Sequence, residues 1–134
     1  SKKKIPNWDN TLELINWKQI RYQLEPMINK YSVNKKIKLA AFTWIEAGQL
    51  STLMNNKYEV IVVEGEQHHF KFMRNSDEIT PTILLKLSLG LNPDTNTILK
   101  RLRKYDENAF YIENIVLKRG YRDYATASLF QFNK

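Results

Sequence analysis

Four cations, Lys100, Arg101, Arg103 and Lys104, fall within five consecutive positions, and no acid lies between Thr95 and Tyr105. If that stretch is helical, Ile98, Leu99, Leu102 and Tyr105 share one face and the cations take the remainder. Cations in a last turn complement the helix dipole by about 0.3–1 kcal/mol each, which gives part of the cluster a purely structural use. The dipole does not account for the missing glutamate four residues before a cation, the ordinary relief for repulsion along a helix. A second cluster follows: Lys118, Arg119 and Arg122 surround Gly120, with Tyr121 and Tyr124 beside them. Ammonium and guanidinium groups hold phosphate oxygens, and tyrosine rings on a sheet stack unpaired bases. These nine residues are the candidate nucleic-acid-binding set, for DNA or RNA, in a module that performs no catalysis. An acidic protein would be served by the same charges, so an assembly or protein–protein interaction domain is the second reading.

Catalytic chemistry has thinner support. The densest polar cluster is Glu64, Glu66, His68, His69 and Lys71, and adjacent histidines on a strand point to opposite faces, so the two cannot share a metal without a bulge. Glu46 followed by strands that carry an acid and then a lysine has the outline of a metal-dependent nuclease, the third reading. The strand-start aspartate of such sites is missing, however, and His69 stands two residues before Lys71 where a carboxylate belongs. No Gly-rich phosphate loop, Ser-His-Asp pairing or HExxH motif occurs. No catalytic residue, metal ligand or cofactor is assigned.

Composition agrees with a polyanion partner. The chain has 134 residues and a net charge of +7, with a pI near 9.6. Residues 1–38 carry a net +6, residues 39–91 a net −2 and residues 92–134 a net +3, which is compatible with a basic face built from both ends. Without cysteine, disulfides, thiolate zinc sites and cysteine nucleophiles are excluded. No apolar run approaches the roughly 18 residues of a membrane span, so no membrane partner is expected and an intracellular, cytoplasmic setting is favoured. The leading serine suggests a trimmed start, and residues 1–8 are expected to be flexible. Frequent lysine and asparagine hint at an AT-rich coding genome, and a mobile element or phage is the source in view.

The elements that must position these residues follow from periodicity and punctuation. Asn10 caps a helix over about Thr11–Leu24, which ends or kinks at Pro26, with a second piece carrying Met27, Ile28 and Tyr31. Ile37, Ala40, Ala41, Trp44, Ile45, Leu50 and Leu53 form a stripe that reads as a helix over Lys36–Met54, although IKLAAFTW fits either state. Tyr58–Val63 is a β-branched strand, paired through a turn at Glu64–Gln67 with HHFKFMR as a hairpin. Thr82–Leu89 suits a short helix after Pro81, stopped by Gly90. Asn92 caps the next helix, with Pro93 as its first residue and Tyr105 near its end. Phe110–Lys118 and Tyr121–Phe132 are strands joined at Arg119-Gly120. A helix-turn-helix alignment on Gly90 seats Leu85, Leu89, Leu91 and Leu99, but puts Lys86 where a small residue belongs and Asn96 where an apolar one does. No family resemblance is drawn from it. The whole is one α+β domain over residues 1–134: N-terminal helices, antiparallel β-hairpins with intervening helices, and a C-terminal helix followed by a β-hairpin.

Overall fold

Apolar runs that are too short for buried helices become the middle of a sheet in this chain. The computed structural model describes residues 17–64 and 80–132. Their elements, in chain order, are α1 (Trp17–Asn29), β1 (Lys38–Ala41), α2 (Trp44–Leu53), β2 (Glu59–Val62), β3 (Thr82–Leu89), α3 (Thr95–Arg103), β4 (Phe110–Arg119) and β5 (Arg122–Phe132). The architecture is mixed α+β, with one five-stranded sheet in the order β2-β1-β3-β5-β4. β1 pairs in parallel with both β2 and β3, whereas β3–β5 and β5–β4 are antiparallel. Among the described residues no helix is long and apolar enough to cross a membrane.

Both faces of the sheet are covered. On one, Ile20, Leu24 and Ile28 of α1 and Leu50 and Leu53 of α2 pack on Leu39, Ile83, Leu85, Ala127 and Leu129. On the other, Leu102 of α3, with Ile98 and Leu99 against it, packs on Ala40, Phe42, Leu84, Phe130 and Phe132. This double burial explains two departures from the sequence reading. Thr82–Leu89 is a strand, not a short helix, because TILLKLSL sends Ile83 and Leu85 to one core and Leu84 to the other. A central strand buried on both sides loses the alternation that would announce it. With Leu85 and Leu89 on a strand, the helix-turn-helix alignment falls. Likewise, the expected helix Lys36–Met54 is a strand, β1, followed by a helix, α2. The boundary is Thr43, whose Oγ1 accepts a hydrogen bond from the Glu46 N–H at 3.2 Å.

Two helix ends also move. α1 runs through Pro26 without a break. Pro26 is exposed and cannot donate to the Tyr22 carbonyl, but Ile20, Leu24 and Ile28 anchor the helix on both sides of it. That burial outweighs the roughly 3 kcal/mol an interior proline costs. α3 is capped by Asp94 and not by Asn92, since the Asp94 carboxylate accepts from the Thr97 N–H at 3.1 Å and from the Thr97 hydroxyl at 2.8 Å. The expected β4–β5 hairpin is present, and Gly120 turns it at φ +68°. The cap at Asn10, residues 11–16, the flexible start and the strand HHFKFMR lie outside the described residues, and with them Glu66, His68, His69 and Lys71.

Candidate nucleic-acid interface

The tip of the β4–β5 hairpin is built from sequence-local chemistry and then clamped from afar. Arg119 pairs with Arg122, leaving Gly120 and Tyr121 as the two turn residues. Glycine in the first of them supplies the positive φ that a type II′ turn needs. β4 is an edge strand, so the backbone groups of Lys118 and Gly120 on its outer side need partners. Two glutamines one helical turn apart on α1 supply them. The Gln19 amide donates to the Gly120 carbonyl at 3.1 Å and accepts from the Gly120 N–H at 3.0 Å. Gln23 does the same for Lys118, at 3.0 and 2.8 Å. The helix thus imitates a neighbouring strand through its side chains.

On this fixed frame the charges divide by face. Directly opposed residues of an antiparallel pair project from the same face, so Arg119 and Arg122 stand side by side with Cβ atoms about 5 Å apart. The Arg119 guanidinium also lies 5.5 Å from the centroid of the Tyr124 ring. Burial, opposed by Arg119, holds the Tyr124 hydroxyl above its ordinary pKa. The neighbouring pair, Lys118 and Asp123, projects from the opposite face and is complementary, joined at 2.8 Å in an exposed ion pair. Arg119 and Arg122 thus form a like-charged pair with no carboxylate beside it among the described residues. Tyr121, at the turn, is 99 % exposed.

The cations of α3 have other uses. Arg101 makes a bidentate fork with Glu64, Nε to Oε2 at 2.6 Å and the second nitrogen to Oε1 at 2.7 Å. Its guanidinium carbon also stacks 4.0 Å from the centroid of the buried Phe42 ring. The hydrogen bonds from Arg101 hold the Glu64 carboxyl below the usual carboxylate range, and Glu64 in turn raises the Arg101 pKa. Arg103 donates from Nε to the Ala109 carbonyl at 2.9 Å, tying the helix end to the chain that enters β4. Lys100 and Lys104 are exposed and have no ion-pair partner among the described residues.

The nine residues singled out in the sequence therefore occupy two places. Lys118, Arg119, Tyr121, Arg122 and Tyr124 gather at one end of the β4–β5 edge. Lys100, Arg101, Arg103 and Lys104 belong to the helix on the other face, and Arg101 reaches to Glu64 beyond β2, the far edge of the sheet. Four strand spacings separate β2 from β4, about 19 Å. Gln19 and Gln23, which fix the tip, were not singled out by sequence, and Glu64 was read there as part of a polar cluster at a turn and not as the partner of Arg101. The i, i+4 spacing of the glutamines was their only local signal.

A third polar cluster lies beyond the C-terminal end of β1. Lys86 bonds Glu46 at 2.5 Å beside a groove of about 350 Å³ that Thr43, Ile45 and Gln49 help to line. The second Glu46 carboxylate oxygen is buried and without a hydrogen-bond partner among the described residues. Glu46 and Glu64 are each held by a cation, and among the described residues no three His, Cys, Asp or Glu side chains are grouped to hold a metal. Compared with protein-family models, curated proteins and solved structures, the chain matches none.

Proposed function

We propose that the chain is a non-enzymatic nucleic-acid-binding module whose binding surface is centred on the tip of the β4–β5 hairpin. The observation that carries this reading is the cross-strand pair Arg119 and Arg122. Like charges placed directly opposite each other on a sheet are destabilising, and this pair has no acid to relieve it among the described residues. Phosphates bound at the two guanidiniums relieve it with charge-assisted hydrogen bonds. The overall charge of +7 adds long-range attraction, while Lys118 is held by Asp123 on the opposite face. Lys100 and Lys104 take a lesser part from the other face, while Arg101 and Arg103 serve the fold.

The test is oligonucleotide affinity as a function of salt. The double substitution Arg119→Glu, Arg122→Glu should lower affinity more than about tenfold and reduce the salt slope by about 2, one for each phosphate that is no longer neutralised. The double substitution Lys100→Glu, Lys104→Glu makes the same change in net charge and should lower affinity less than about threefold. Equal losses would mean that only net charge matters and would sink the tip as the binding surface.

A second reading, an assembly domain for an acidic protein partner, is favoured by a different observation. Among the described residues no strand pairs with the outer side of β4, which Gln19 and Gln23 occupy only at its tip, and Phe110, Tyr111 and Val116 on it are exposed at 50, 39 and 44 %. An extended segment added to that edge would cover them. Binding to a protein partner with a flat salt response would support this reading over the first.

A further inference from the structure

We infer that the tip selects unpaired nucleotides, with Tyr121 as the platform on which a base stacks. The inference rests on the nucleic-acid reading of the same site and names the class of nucleic acid it takes. Three features of the tip carry it.

The first is the ring itself. Tyr121 is 99 % exposed, so it contributes nothing to either core, and its ring is open to a planar partner. Turn positions ordinarily take glycine, asparagine or aspartate for conformational reasons, and a tyrosine after Gly120 meets no such need. Scattered apolar side chains on a surface need no explanation on their own. This ring, however, sits at the apex of a hairpin between two arginines.

The second feature is rigidity. The backbone on the β4 side of Tyr121 is fixed by the Arg119–Arg122 register and by four hydrogen bonds that join Gln19 and Gln23 to Lys118 and Gly120. A platform already held in place loses little backbone freedom when a base lands on it, which improves affinity with no added interaction.

The third is geometry. In a duplex the base faces are consumed by their neighbours, and only edges and phosphates are presented to a protein. A single tyrosine projecting from a hairpin apex has no duplex partner for its faces unless the duplex is unstacked. In a single strand, a loop or a frayed end every base offers a face, and stacking tolerates any sequence. Arg119 and Arg122 then hold the phosphates that flank the stacked base. The shared chemistry is an unpaired base with its flanking phosphates, available from either single-stranded DNA or single-stranded RNA.

The experiment measures affinity by fluorescence anisotropy for four labelled probes of about 12 nucleotides: oligo-dT, oligo-U, a DNA duplex, and a strand of abasic sites that keeps the phosphates and lacks bases. The wild-type chain should prefer oligo-dT or oligo-U over the abasic strand by roughly 5- to 150-fold, the span of one base–aromatic stack, and should prefer them over the duplex. The ratio of dT to U tells which strand it favours. Tyr121→Ala should erase the preference over the abasic strand, with no change in thermal midpoint because the ring packs against nothing. Tyr121→Phe keeps the ring and should retain the preference. Tyr105→Ala, an exposed tyrosine beside the α3 cations, should leave all four affinities within about twofold. If the wild type binds duplex, abasic and base-bearing strands alike, stacking is overturned while nucleic-acid binding stands. If it binds none of them at low salt, both readings fall.

Discussion

Arg101 and Arg122 look alike in the sequence, each an arginine in a cluster of cations, yet the structure gives them opposite surroundings. Arg101 is consumed by the fold: both carboxylate oxygens of Glu64 bond it and the Phe42 ring lies under it. Arg122 is opposed by another arginine and faces solvent. The difference teaches that a run of cations without neighbouring acids is not evidence of an open charge, because the acid can arrive from a distant segment of the chain. Glu64 is 37 residues from Arg101. Conversely, a cation that the fold leaves beside a like charge is a cost to stability.

The sharpest way to break this contrast is to reverse the two charges and measure stability. Arg101→Glu removes two short charge-assisted hydrogen bonds and sets two carboxylates against each other. We expect a loss of about 2–3 kcal/mol, discounted from a fully buried pair because the Arg101 side chain is 37 % exposed. Urea unfolding would show it as a lower midpoint with an unchanged slope, and a midpoint within error of the wild type would mean that Arg101 is as free as Arg122.

Acid titration supplies an intermediate effect. The Glu64 carboxyl is depressed by Arg101, so its contribution is fully present above the unfolded carboxylate value near 4.3 and is lost as pH falls through the lower folded value. Glu113, held down chiefly by the Tyr31 hydroxyl, and Asp94, held down by Thr97, titrate in the same direction. Glu64→Gln should therefore flatten the fall in stability below about pH 4.3 without abolishing it. An acid limb identical to the wild type would show that the Glu64–Arg101 bond carries no pH-dependent stability.

The smallest effect is the most diagnostic. Arg122→Glu turns the cross-strand pair with Arg119 into a complementary one and should stabilise the free protein by about 0.2–1 kcal/mol, even as it weakens oligonucleotide binding. A stabilising charge reversal in the same position that costs affinity would be the signature of a residue kept for binding. Destabilisation would mean that Arg122 has a structural partner after all, and the contrast with Arg101 would collapse.

The parts of the fold that were legible in the sequence are those specified locally. The β4–β5 hairpin could be read from Gly120 and two β-rich runs, and α3 from its apolar face, although Asp94 displaced Asn92 as its cap. β1 and β3 were illegible for a shared reason: strands covered on both faces show unbroken apolar runs, and leucine and alanine in such runs imitate a helix. One signal was available and unused, because Thr43 followed by Glu46 three residues later is a helix-start pattern that divides β1 from α2. The candidate site divides in the same way. Arg119, Tyr121 and Arg122 are neighbours in sequence and could be grouped by eye. The clamp from Gln19 to Gly120 spans 101 residues, and no periodicity encodes it.

Strand β3 is the seam between a parallel half and an antiparallel half, pairing three residues with β1 and eight with β5. The two halves differ in what it takes to bring them together. The β4–β5 hairpin closes over two residues, whereas β1 meets β3 only after about 40 intervening residues are looped out. The longer closure costs about 2.5 kcal/mol more chain entropy. On loop closure alone, the hairpin therefore forms before β1 reaches β3. Synthesis on the ribosome delivers these pieces in the reverse order. β1 and β2 emerge early, and the strands that complete their sheet, β3 and then the C-terminal hairpin, follow only later in the chain.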